Sequence, residues 1–149
     1  MIKKIAICAL YLSVLFGQFS MAEEKFLSLK KSKVNVRYGP SFDSKIKYIY
    51  KKINLPIKQI DQKENFRRIV DLKNNSGWIH ISQIKKSNSI IILEDKILYK
   101  KPSNFSKPIA KLEKGRLLIL KKCENIWCNV KTEDYSGWVK TENIWGSIR

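Results

Sequence analysis

Val34-Asn35-Val36-Arg37 alternates apolar and polar side chains, so one face of the segment faces a core and the other faces water. Tyr38-Gly39-Pro40-Ser41 follows as a turn, and the chain reads as loop as far as Lys45. Residues 46–51 alternate again, with Ile46, Tyr48 and Tyr50 on one face. Further strands are expected over 55–60, 66–72 and 77–81, separated by polar turns at 61–65 and 73–75. Ser82-Gln83-Ile84 reads as one helical turn that closes the end of this unit with Ile84. Later strands fall at 90–93, 97–100, 109–112, 116–122, 126–130 and 137–139. About five short strands per half, with no amphipathic helix, give an all-β fold of two small barrels.

The two halves are copies of one pattern. Ser76-Gly77-Trp78-Ile79 returns sixty positions later as Ser136-Gly137-Trp138-Val139, and Ile84 returns as Ile144. Glu64-Asn65 pairs with Glu124-Asn125 and Val70 with Val130 at the same offset. A period this long points to tandem domains rather than a solenoid of shorter repeats. The expected division is 27–86 and 89–147, joined by Ser87-Asn88-Ser89. Each unit is near the lower size at which a core stands alone.

The order of motifs resembles a known family. Val34-Asn35-Val36-Arg37, Gly39-Pro40, Leu55-Pro56-Ile57, Phe66-Arg67-Arg68-Ile69 and Gly77-Trp78-Ile79-His80 are similar to the bacterial Src homology 3 domain. The form it resembles occurs twice in small exported proteins of proteobacteria. Cys123 and Cys128 with Trp127 between them, and Ile144-Trp145-Gly146, resemble the second copy. That copy departs from the pattern at Leu98-Tyr99-Lys100-Lys101-Pro102. The resemblance implies a domain that binds cell-wall or peptide ligands and has no catalysis of its own.

Composition places the protein. Lys3 and Lys4, an apolar run from 5 to 17 and Ser20-Met21-Ala22 have the form of a signal peptide cut after Ala22. The alternative is an uncleaved N-terminal anchor. A periplasmic or secreted location follows, with no membrane span after cleavage. The formal net charge is +17; without Lys3 and Lys4 the chain keeps 28 basic against 13 acidic residues, a net +15. Such a charge steers polyanions toward the surface. Export argues against nucleic acid, leaving the carboxylates and phosphates of the envelope, while the bland reading is a lysine-rich background that aids solubility.

Beyond the leader the chain holds two cysteines, Cys123 and Cys128. If 117–123 and 128–131 form a hairpin around the loop Glu124-Asn125-Ile126-Trp127, the two thiols face each other and a disulfide is expected. Metal binding by two thiolates and one distant histidine is the weaker alternative. No catalytic set, cofactor or metal site is expected. His80 is the sole histidine, and no carboxylate pair has glycosidase spacing.

The candidate ligand surface is aromatic and cationic. In the first unit it comprises Arg37, Tyr38, Phe42, Tyr50, Arg67, Arg68 and Trp78; in the second, Tyr99, Phe105, Trp127 and Tyr135. Guanidinium groups grip carboxylates or phosphates bidentately, and aromatics line shallow grooves for extended ligands. Trp78 and Trp138 are equally readable as core residues. The expected partner is a cell-wall glycan or peptide, bound by a monomer. The alternatives are an inhibitory module docking on another envelope protein, or an unfamiliar hydrolase using His80.

Overall fold

The computed structural model describes residues 23–148, so the expected leader and its cleavage point lie outside the described residues. The fold is all-β. The first half contains β1 (Lys25–Leu29), β2 (Val34–Arg37), β3 (Ile46–Tyr50), β4 (Pro56–Lys63), β5 (Phe66–Val70), β6 (Ser76–His80) and β7 (Ile84–Lys86), with a 3-10 turn at Ile81–Gln83 before β7. The second contains β8 (Ser89–Ile92), β9 (Lys96–Tyr99), β10 (Pro108–Leu112), β11 (Leu117–Glu124), β12 (Trp127–Lys131), β13 (Ser136–Lys140) and β14 (Ile144–Gly146).

The strand orders are the same in both halves. The first sheet runs β3-β2-β6-β5-β4-β1-β7 and the second β10-β9-β13-β12-β11-β8-β14, each number raised by seven. Every pairing is antiparallel. The irregularities are duplicated as well. A register shift interrupts β4–β5 between Gln59 and Asp61, and β11–β12 between Leu120 and Lys122.

Each half has its own core. Leu29, Val34, Val36, Ile57, Ile69 and Ile79 form one buried cluster. Ile90, Ile92, Leu98, Leu112, Leu118, Cys128, Val130 and Val139 form the other, and no residue belongs to both. Ile84 and Ile144 pack against their respective cores, but Ile84 does so from the start of β7, because the helical turn ends at Gln83.

The structure moves part of the repeat by one position. β4 and β5 are joined by the turn Glu64-Asn65, β11 and β12 by Asn125-Ile126, and the first residue of each turn is left-handed, with φ of 49° and 53°. Glu64 therefore matches Asn125, and Ile69, opposite Gly77, matches Val130, opposite Gly137. The sixty-residue offset returns at Ser76 and Ser136, because the turn after β5 is one residue longer than the turn after β12. Glu124 and Trp127 are consequently strand residues, and the loop between the cysteines has two residues rather than four. Cys123 and Cys128 still lie directly opposite each other and form the disulfide.

The two barrels are docked. Asn88 bridges them, its N–H donating to Ser28 Oγ (3.2 Å) and its carbonyl accepting from Leu120 N–H (2.9 Å). The buried hydroxyls of Ser28 and Ser89 are 2.8 Å apart, and Ser89 also donates to the Asn54 carbonyl. Phe26 meets Trp145 edge-on at 5.1 Å between ring centroids. The Ser28 and Ser89 hydroxyls and the Asn88 main chain find partners across the joint, which offsets the cost of burying them.

Candidate functional site

Gly77 and Ile79 point into the first core, so alternation along β6 sends Ser76, Trp78 and His80 to the outer face. Glycine is required at 77 because a Cβ there would lie 2.4 Å from Val36 Cγ1 and 3.0 Å from the Arg37 carbonyl. The close crossing of β2 over β6 that this permits brings Arg37 opposite Trp78. On the other side of the indole, Arg68 of β5 is opposite Trp78. A tryptophan thus stands between two arginines in one cross-strand row.

A third cation reaches this row through a bulge. Val36 pairs with Tyr48 and Arg37 with Ile46, so Lys47 has no partner in the ladder. Its ammonium donates to the Ser76 carbonyl (2.9 Å) and lies 5.6 Å from the Tyr38 ring centroid. Arg37, Tyr38, Lys47, Arg68 and Trp78 line a shallow groove of about 280 Å³. Four of these five are among the residues singled out from the sequence. Lys47 is not, because strict alternation along 46–51 does not reveal a bulge.

The residues around the groove divide by role. Arg37 Nη1 donates to the carbonyls of Phe42 (3.0 Å) and Ser44 (2.8 Å), which holds the loop after β2. The Arg68 side chain is exposed and forms no hydrogen bond or ion pair with a described residue. Phe42 is 61% exposed yet packs against Phe66 (5.3 Å) and His80 (4.8 Å), continuing the outer face beside the groove. His80 Nδ1 accepts from Ser82 N–H (3.3 Å) and lies 2.8 Å from Ser82 Oγ, contacts that cap the 3-10 turn. Arg67 donates to the Glu64 and Phe66 carbonyls and braces the β4–β5 turn.

Tyr50 lies apart from the groove. Its hydroxyl donates to Asp71 Oδ2 (2.9 Å), and Tyr48 adjoins it at 3.3 Å. Burial, followed by the bond to Tyr48, pushes the Tyr50 phenol well above its ordinary value; burial also raises Tyr48. Asp71 Oδ1 in turn accepts from the backbone N–H groups of Lys73 and Asn75 and closes that turn.

The equivalent row in the second barrel lacks the two flanking arginines. Trp138 stands opposite Tyr99 and Asn129, where Trp78 has Arg37 and Arg68. Ile109 takes the bulge position of Lys47. Trp138 is only 8% exposed, with Lys122 Nζ 5.4 Å from its ring centroid. Trp127 occupies the place of Phe66, edge-on to Tyr99 at 5.6 Å. The hollow beside Tyr99, about 160 Å³, is lined by Glu94, Asp95 and Glu142 against Lys96 and Lys140. Phe105 is fully exposed at the tip of the loop before β10, and Tyr135 is on the turn before β13. The structure does not gather Tyr99, Phe105, Trp127 and Tyr135 into one groove.

Residues 30–86 and 95–146 each match the family described as the bacterial SH3 domain. The chain belongs to that family. Two SH3 copies in tandem account for the repeated strand order, the repeated Gly-Trp pair and the separate cores. No curated protein is similar to the chain in sequence. Among solved structures, NlpC2 from Trichomonas vaginalis is 10% identical, with a TM-score of 0.39 over 83% of this chain and 48% of that one. NlpC1 from the same organism is 10% identical, with a TM-score of 0.38 over 86% and 48%. This SH3 pair therefore spans about half the length of those proteins. No helix among the described residues is long and apolar enough to cross a membrane, and no group of three or more potential metal ligands occurs among them.

Proposed function

We propose that this protein is an exported, non-catalytic binding module whose first SH3 domain holds an anionic group of a cell-envelope polymer, the carboxylate or phosphate of peptidoglycan or an associated chain. The observation that supports this is the row Arg37–Trp78–Arg68 with Lys47 beside it. Arg68 offers a planar fork of donors to an oxyanion, and Trp78 offers a flat face to a sugar ring or peptide stem. The groove is open and shallow, suited to an extended ligand passing over it. The second domain has Tyr99, Ile109 and Asn129 in the equivalent places and so lacks this set of cations. The N-terminal leader motif and the net positive charge agree with an anionic partner outside the cytoplasm.

Co-sedimentation with purified sacculi at low and moderate salt tests the reading. The protein is expected to pellet at low salt, with binding reduced at moderate salt and by Arg68→Glu. An absence of pelleting at both salt concentrations overturns wall binding.

A further inference from the structure

The docked barrels enclose a cleft of about 840 Å³ between them, away from the Trp78 face. Lys51 and Lys52 stand on the wall contributed by the first barrel, Lys114, Arg116 and Lys131 on the wall contributed by the second. Glu113 and Glu133 are the carboxylates in its lining, which leaves an excess of three positive charges. None of the five cations forms an ion pair with a described residue. All five are exposed, so their ammonium and guanidinium groups are available.

Cations on facing walls repel one another, and Glu113 and Glu133, both on the second wall, offset part of this charge and leave both walls net positive. The joint built from Asn88, Ser28, Ser89 and Trp145 nevertheless holds the walls together. A concavity whose walls are both net positive focuses the field and concentrates counter-ions. Its size is that of sites for small organic ligands. Ile53 and Leu117 are in the same lining and provide apolar surface for an uncharged ligand body.

We infer that this inter-barrel cleft is a second anion site, taking an oligoanion whose separated phosphate or carboxylate groups engage both walls at once. A single monovalent anion satisfies one wall; an oligoanion bridges the two and relieves the repulsion across the joint. Ligand binding therefore also strengthens barrel docking, because it favours the docked form.

The test is a two-dimensional amide NMR titration of the chain from Glu23 onward, with inorganic tripolyphosphate and, in parallel, citrate, at 0.15 M salt. The expected result is saturable shifts for at least one of the two, concentrated at 51–54 and 114–116. The ligand that binds identifies the anionic group. Lys52→Glu with Arg116→Glu should weaken that binding at least tenfold. Lys63→Glu with Lys73→Glu, the same change of net charge on exposed lysines outside the cleft, should alter it less than twofold, and Arg68→Glu likewise. Saturable binding of neither probe, shifts spread over every basic face, or equal losses in the two double variants would overturn the site.

Discussion

The indole N–H of Trp145, on the last strand of the second barrel, donates to the carbonyl oxygen of Pro56 on the first, 3.0 Å away. The same ring receives Phe26 edge-on, so one side chain supplies both a directional bond and an aromatic contact across the joint. Trp145→Ala removes both and should cost about 2 kcal/mol. Trp145→Phe keeps the ring contact and should cost about 1 kcal/mol. Scanning calorimetry should show one transition for the native chain and two for Trp145→Ala as the barrels uncouple.

The Gly-Trp pair recurs because of the glycine as much as the tryptophan. A Cβ on Gly137 would lie 2.6 Å from the Tyr99 carbonyl oxygen, and one on Gly77 would strike Val36 and the Arg37 backbone. Backbone cannot retreat as a long side chain can. Gly77→Ala and Gly137→Ala should each destabilise their barrel by about 2 kcal/mol or more. Urea unfolding followed by tryptophan fluorescence measures this.

Much of the fold was readable from alternation and from the repeat, since buried positions such as Val34, Val36 and Ile79 carry β-branched side chains at period two. The unforeseen strands at Ile84–Lys86 and Ile144–Gly146 have three residues each, too few to show an alternation, and in Lys25–Leu29 the adjacent apolar residues Phe26 and Leu27 mask the period. Within the candidate site, Arg37, Tyr38, Arg68 and Trp78 were legible as cations and aromatics near one turn. Lys47 was hidden by the bulge, and the absence of arginines flanking Trp138 became visible once the register placed Tyr99 and Asn129 there. Docking was illegible, because Phe26 and Trp145 are far apart in sequence and neither belongs to the repeated motif.

Cys128 is buried in the second core while Cys123 packs at its margin, so the disulfide joins the neighbouring strands β11 and β12 at the edge of the core. Closing a loop this short restricts the unfolded chain by about 2 kcal/mol. Cys123→Ser with Cys128→Ser, or reduction, should lower the stability of the second barrel by that amount and leave the first unchanged. Hydrogen exchange resolved by residue distinguishes the two.

Stability should fall in alkali. Burial raises the Tyr48 and Tyr50 phenols in the folded state, whereas in the unfolded chain they ionise near pH 10. Folding is therefore unaffected by these groups below about pH 10 and is progressively opposed above it, because only the unfolded chain sheds the protons. Tyr50→Phe removes the more strongly shifted group and should flatten the alkaline limb of a melting-temperature profile, at the cost of its bond to Asp71.

The difference between the two copies bears most directly on function. Arg68 and Asn129 hold equivalent places beside Trp78 and Trp138. Arg68→Glu and Asn129→Glu leave one negative charge at each of those places, by a net change of two units in the first and one in the second, and sacculus binding by the two variants compares the faces. At least a tenfold loss is expected for Arg68→Glu and less than a twofold change for Asn129→Glu. Equal losses, or a loss confined to Asn129→Glu, would contradict that expectation.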